Sequence, residues 1–198
     1  MNIVRAQRAD KARIVKVLCE SFPNDPQTNY ILGSAGNRAT KLKRLMAYAF
    51  EYGMVKGNVE ISDDGNAAAI WKNRHSGTMS VHLLVESILF LLTYGPSGLQ
   101  RISAMEKRIA AFYPDNVSFN YLWILGTDPQ QQGKGYGSAI LTKAIREQEL
   151  NKIPLYLETS SEANVKYYER KGFSLYHSIV LDSATSLTIY LMKLESKA

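Results

Sequence analysis

The stretch Leu122-Trp-Ile-Leu-Gly-Thr-Asp-Pro-Gln-Gln-Gln-Gly-Lys-Gly-Tyr-Gly-Ser-Ala-Ile-Leu141 decides how this chain is read. An apolar, β-prone run from Tyr121 to Leu125 breaks at Gly126 and turns through Asp128-Pro129. The loop that follows, Gln132-Gly-Lys-Gly-Tyr-Gly137, opens into Ile140, Leu141, Ala144 and Ile145, which recur at helical spacing. Alternate glycines carry no Cβ, so a ligand can approach the backbone closely. N–H groups converging on the positive end of a helix suit a phosphate or pyrophosphate. Lys134 adds a mobile positive charge at the mouth. The plain alternative is a glycine-rich strand-to-helix turn with no ligand. A Walker loop needs a hydroxyl residue after its lysine, and Gly135 stands there. A Rossmann fingerprint needs Gly-x-Gly-x-x-Gly with an acid ~20 residues on. Here the glycines run 133, 135, 137, and Glu158, at the end of the next strand, is a poor ribose ligand.

A second block lies downstream: Leu155-Tyr-Leu-Glu-Thr-Ser-Ser-Glu-Ala-Asn-Val-Lys-Tyr-Tyr-Glu-Arg-Lys-Gly-Phe173. It reads as a strand over 155–159, a helix capped by Ser160 or Ser161 and running to Lys171, and a terminating Gly172. Gln132-x-x-Gly135-x-Gly137, followed by Asn164, Tyr168 and Gly172-Phe173, resembles the GNAT N-acetyltransferase family. The wording is closest to its puromycin N-acetyltransferase-like subgroup. The resemblance spans roughly residues 117 to 181. It implies an α/β fold (an α+β mixed sheet): a GNAT-like central sheet of about six or seven strands with helices on both faces. It also implies acetyl-CoA as co-substrate, held by Leu125, Gly126, Thr127, Gln132, Gly133, Lys134, Gly135, Tyr136, Gly137, Ser138 and Asn164. The strand ending Ile124-Leu125-Gly126 is expected to splay from its neighbour at residue 155 onward. The pantetheine arm would enter that wedge like an added strand, with an N–H near Leu125 facing the thioester oxygen.

For catalysis, the resemblance puts Tyr168 in place as the acid that protonates the leaving thiolate, since a phenol stays protonated at neutral pH. The rival reading makes it a core residue, with Tyr167 beside it. Glu158 is the candidate base, or else a carboxylate that binds loop N–H groups. Related proteins of the subgroup often open the central strand with a histidine and an aromatic; this chain has Asn120-Tyr121, which removes one possible base. His75 is a weaker candidate.

Composition bounds the rest. A chain of 198 residues, 45% hydrophobic and 21% charged, suits one domain over 1–198. The lone Cys19 forms no disulfide framework and fits a reducing, cytoplasmic setting. His75, His82 and His177 lack ligand spacing, so no metal is expected. The start, Met1 to Gln7, reads as a strand rather than a leader. The apolar run Val81 to Tyr94 is short for a bilayer span and reads as a buried or pocket-lining helix. The net charge of +6 is dispersed, with no basic stripe for nucleic acid and no membrane patch.

Other elements follow from periodicity and punctuation. Helices are expected after Asp10 (Ile14, Val17, Leu18, Phe22) and over 37–54, with a hairpin of strands 58–62 and 66–71 joined by Asp63-Asp64-Gly65. Residues 76–114 read as an inserted helical pair broken at Gly95-Pro96-Ser97-Gly98, its second helix carrying Ile102, Met105, Ile109 and Phe112. A long strand is expected over 117–125, and a closing hairpin pairs 173–181 with 186–194. The insertion and Phe22–Leu32 would line the acceptor pocket, with Tyr30, Phe90, Tyr94 and Tyr113 as an aromatic slot. The function expected is transfer of acetyl from acetyl-CoA to a primary amine of a small molecule by a monomer or homodimer. A peptide or protein amine, or a non-catalytic acyl-CoA binder, stay open.

Overall fold

The computed structural model describes residues 1–73, 79–114, 118–182 and 187–195. Its elements are β1 (Ile3–Arg5), α1 (Lys11–Ser21), α2 (Pro26–Leu32), α3 (Arg38–Lys56), β2 (Gly57–Ser62), β3 (Ala67–Asn73), α4 (Val81–Ala110), β4 (Asn120–Thr127), α5 (Tyr136–Asn151), β5 (Leu155–Thr159), α6 (Glu162–Glu169), β6 (Ser174–Asp182) and β7 (Leu187–Leu194). One seven-stranded sheet runs β1-β2-β3-β4-β5-β7-β6. Every neighbour is antiparallel except β4 and β5, which are parallel and joined through α5.

Side-chain alternation puts a core on each face of this sheet. Ala68, Ile70 and Ile124 face α1, α3 and α4, where Ile14, Leu18, Phe50 and Phe90 pack. Ala67, Ala69, Trp71 and Leu122 face α5 and α6, where Ile140, Leu141, Val165 and Tyr168 pack. The fully buried run Ala67-Ala68-Ala69 lets helices approach both faces. A third core joins Met105 and Ile109 of α4 to Ile179, Leu181, Ile189 and Leu191 of the closing hairpin.

Two features of β4 position the site. Trp71 pairs with Leu122 while the adjacent Ile70 pairs with Ile124, so Trp123 is an extra, bulged residue. On its other edge β4 pairs with β5 only at Asn120↔Leu155, Tyr121↔Tyr156 and Leu122↔Leu157. Beyond Leu122 and Leu157 the strands part. The wedge thus opens along Ile124-Leu125-Gly126, where the strand was expected to splay.

Several expectations shift. The central strand starts at Asn120, because β3 ends opposite it at Asn73; Val117 lies outside the described residues. The Asp10 carboxylate accepts from Gln7 N–H at 2.7 Å, closing a short 3-10 turn, and makes no cap bond to α1. The unforeseen helix is α2: Pro26 opens it and Asp25 accepts from Thr28 N–H at 2.7 Å. Phe112 does not join a buried face; it sits past α4, 39% exposed, stacked on His177.

The helical pair is one bent element, kinked where Gly95 adopts φ 62° ahead of Pro96. By length and composition alone α4 would suffice to cross a bilayer. Only one side of its first half is covered, by Leu83, Glu86, Phe90 and Tyr94; Val81 and Leu92 are 74% and 76% exposed. The expected buried helix is therefore buried along one stripe.

A charge network clamps that stripe to the body. Glu86 accepts from Lys11 at 2.8 Å and Arg44 at 2.7 Å, and Lys11 also reaches Glu51, which Arg8 holds at 2.8 Å. Burial alone would raise the Glu86 pKa; Lys11 and Arg44 outweigh that and hold it below the usual value. A depressed pKa contributes stability above the ordinary carboxylate range, lost as pH falls through the folded value. Glu86→Ala is expected to cost about 2 kcal/mol at pH 7, less than for a fully buried pair because Lys11 and Arg44 still reach water. Urea denaturation at pH 7 and in acid checks this: the gap between the two proteins should narrow in acid.

Candidate active site

The glycine-rich loop takes the conformation its residues allow. Asp128 accepts from Gln130 N–H at 2.8 Å and starts a 3-10 turn at Pro129. Gly133 and Gly135 lie at φ 78° and 88°, the left-handed region where a side chain is strained. A Cβ at either would meet no atom within 4 Å, so the loop surface is open to a ligand. Gly135 caps α5, whose first amides, at Tyr136, Gly137 and Ser138, have no intrahelical acceptor. Positive dipole end and free donors converge there, as a diphosphate requires. Lys134 is exposed, its ammonium on Gln131 Oε1 at 2.7 Å.

Three of the expected loop ligands have other side-chain or packing roles. The Tyr136 ring turns into the core; its hydroxyl accepts from Asn66 Nδ2 at 3.1 Å and donates to Asp64, stapling α5 to the β2–β3 turn. Only its N–H faces the loop. Gly126 is a glycine because a Cβ would strike Leu18 and Ser21 of α1 at 2.8 Å. The Thr127 carbonyl accepts from Ser21 Oγ at 2.9 Å and Gln132 Nε2 at 3.5 Å, locking the end of β4. Gly137 packs closely beside Tyr167, whose hydroxyl would lie 3.3 Å from a Cβ and bonds Ser138 Oγ at 3.2 Å.

The wedge leads into a cavity of about 510 Å³ walled by α2, α3, α4, β4 and β5. Leu125, Glu158, Asn164 and Tyr168 all line it. Asn164 is held by Thr159 Oγ1 at 3.3 Å, and Ser161 caps α6 by accepting from Asn164 N–H. The neighbouring tyrosines separate by position: Tyr167 faces the loop, whereas Tyr168 is buried against Phe173 and opens on the cavity. Burial pushes the Tyr168 pKa far up, with the adjacent Tyr167 adding to it, so its phenol keeps its proton.

Glu158 meets the cavity from β5. Its Oε1 accepts from Gln27 Nε2 at 2.5 Å, while its buried Oε2 has no hydrogen-bond partner. Burial raises its pKa; Gln27, Lys72 and Tyr121 partly oppose that, and Glu106 adds to it. A carboxylate with one tethered oxygen and one free lone-pair edge in a cavity can accept a proton from a bound molecule. It binds no loop N–H group, as one reading had it.

Of the four expected aromatics, Phe90 and Tyr113 line the cavity. Tyr94 stacks on Phe90 at 4.4 Å and donates to Lys41 O at 3.1 Å, and Tyr30 packs in the third core. His75 lies outside the described residues. Sequence reading placed Gln27 and Glu106 only within segments expected to line the pocket, and it missed Tyr48, Tyr52, Lys72 and Trp123. Only the Asp25-Pro26 signal hinted at the helix that delivers Gln27; nothing local marks the others. Among the described residues no three His, Cys, Asp or Glu side chains cluster as metal ligands.

Comparison with known proteins agrees with this geometry. A profile for the acetyltransferase (GNAT) domain matches residues 102–175. An uncharacterized N-acetyltransferase of Schizosaccharomyces pombe is 25% identical, over 91% of this chain and 77% of that protein. A mycothiol acetyltransferase of Propionibacterium freudenreichii is 44% identical over 57 residues, 27% of this chain and 18% of that protein. A crystal structure of "histone acetyltransferase HPA2 and related acetyltransferase" from Corynebacterium glutamicum superposes with TM-score 0.73 at 24% identity, covering 100% of this chain and 96% of that one.

Proposed function

The chain belongs to the GNAT acetyltransferases and is an acetyl-CoA-dependent enzyme, and from that premise we propose that it acetylates the primary amine of a small molecule by direct attack within a ternary complex. One observation carries the reading: the parting of β4 from β5 beyond Leu122↔Leu157 opens onto a cavity that presents Glu158 and Tyr168 together. A cavity of about 510 Å³ is the size of a small-molecule site, and α2 and α4 wall it, where a protein acceptor needs an open groove.

In this mechanism the amides of Gly135, Tyr136, Gly137 and Ser138 grip the diphosphate of acetyl-CoA, and Lys134 screens its charge. The unpaired edge of β4 beside Leu125 hydrogen-bonds the pantetheine arm and polarises the thioester carbonyl. Glu158 takes a proton from the acceptor ammonium, so its nitrogen lone pair attacks the carbonyl carbon. As the C–S bond breaks, the Tyr168 phenol gives its proton to the leaving sulfur, and the surplus proton on the newly acylated nitrogen restores the phenol, leaving a neutral amide and a thiol.

Two measurements test this. Thiol release from acetyl-CoA in the presence of an amine panel should exceed the amine-free rate. Calorimetry should show CoA binding to the wild type and at least tenfold weaker binding to Gly135→Val, which strains a φ of 88° and fills the loop surface. CoA binding without amine-dependent thiol release would reduce the chain to a binder and reject catalysis.

A further inference from the structure

The acceptor cavity holds a second charge that the chemistry above leaves unused. Lys72, on β3 opposite Tyr121, points its ammonium over the Trp123 ring, 3.5 Å from the centroid, with Tyr52 and Tyr121 at 5.5 and 5.8 Å. Among the described residues it makes no hydrogen bond. Among those residues its one ion pair is with Glu106 at 3.8 Å, and that carboxylate is itself 58% exposed at the rim. Aromatic faces attract a cation but accept no strong hydrogen bond, so among the described residues the ammonium donors find no close acceptor.

The other charged groups of the cavity divide cleanly. Asp25 is satisfied on both oxygens, by Thr28 N–H at 2.7 Å and Ser160 Oγ at 3.1 Å. Glu158 is held by Gln27 on one oxygen, while buried Oε2 lacks a partner in good hydrogen-bond geometry and has the Tyr121 hydroxyl and Lys72 as favourable neighbours. Two groups of opposite sign, each short of hydrogen-bond partners, therefore face one cavity. Partly dehydrated charges without partners are costly, and a ligand that satisfies both gains correspondingly.

Resting on the acetyltransferase reading, we propose that the acceptor is a zwitterionic amine, an amino acid or amino-acid-like molecule, whose nitrogen meets Glu158 and whose carboxylate meets Lys72. A simple monoamine leaves Lys72 unmatched. A diamine sets a second cation against it. The walls made by Phe22, Tyr48, Phe90 and Trp123 suit an apolar or aromatic side chain. Displacing Glu106 costs little, because that pair is long and reaches water. Lys72 acts as a specificity determinant and takes no part in bond making.

The test compares phenylalanine and its β-homologue with phenethylamine, the same body lacking the carboxylate, by thiol release with acetyl-CoA. The better of the two acids is expected to exceed phenethylamine at least tenfold in kcat/KM, chiefly through KM. Lys72→Met should erase that difference by raising KM for the acid, and Lys72→Arg should largely retain it. Thermal unfolding of each variant separates lost specificity from lost structure. Phenethylamine used as well as or better than both acids by the wild type, or a preference that survives in folded Lys72→Met, overturns the inference and leaves acetyl transfer standing. Absence of thiol release with every amine, while CoA still binds, defeats the acetyltransferase reading and this inference with it.

Discussion

Tyr168→Phe is expected to lower kcat by roughly 10²–10³-fold, in the range a general acid contributes, while CoA affinity stays within twofold. The change removes one oxygen from a ring packed against Phe173 and Tyr167, so the fold has little reason to move. Its effect falls on the departing sulfur. A buried phenol keeps its proton across the working pH range, since burial pushes its pKa well above 10. The variant should therefore show a slow step at every pH, without a shifted profile. Single-turnover kinetics with acetyl-CoA, beside calorimetry with CoA, check both halves. Undiminished turnover would return Tyr168 to the core-packing role that its burial also permits.

Glu158→Gln should be comparably damaging, about 10²–10⁴-fold in kcat/KM, and should change the pH profile as well. The folded carboxyl has a raised pKa because it is buried, with Gln27, Lys72 and Tyr121 pulling the other way. Activity should rise with pH as this group loses its proton, on a limb lying above the ordinary carboxylate range. That limb should vanish in the glutamine variant. The sign for stability is opposite. A carboxyl that holds its proton more tightly when folded lowers stability as pH climbs from the unfolded pKa through the folded one. At neutral pH the neutral amide relieves that cost, so Glu158→Gln should melt higher than the wild type while failing to turn over. Thermal unfolding and a pH–rate series on both proteins decide it; an acid limb that persists in the variant assigns the base elsewhere.

The resemblance to the family pattern singled out Tyr168, and the positions of both residues on their elements were readable before any coordinates. Tyr168 sits five residues before Phe173 and Glu158 is the penultimate residue of a five-residue strand, so their elements could be placed from short-range spacing. The same holds for the loop: the positive φ of Gly133 and Gly135 is what glycine at those positions announces. Asp63-Asp64-Gly65 and Ser161 likewise signalled the turn and cap that form. Where local logic failed, a partner distant in sequence intervened. Asp10 is the local exception: its carboxylate takes Gln7 N–H, three residues back, and so does not cap its helix. Gly126, placed with the ligand loop, is a glycine because of α1, more than a hundred residues earlier; a Cβ there would meet Leu18 and Ser21. Tyr136 was counted with the loop for its position, and the hairpin turn carrying Asn66 and Asp64 claims its side chain.

The insertion and Phe22–Leu32 were expected to line the acceptor cavity, but its polar contacts lay beyond sequence reasoning for the same reason. Gln27 reaches Glu158 across 131 residues, and Lys72 meets Trp123 only because β3 pairs with β4 around a one-residue bulge. Neither contact leaves a trace in spacing along the chain. What the amino-acid order alone determined is the glycine loop at the start of α5, the two-faced sheet and the places of Glu158 and Tyr168 beside its wedge, since backbone geometry and periodicity are properties of neighbours. What only the tertiary structure decided is which charges stand unpaired in the cavity. That depends on packing between distant segments, where burial and missing partners, rather than residue type, set the chemistry.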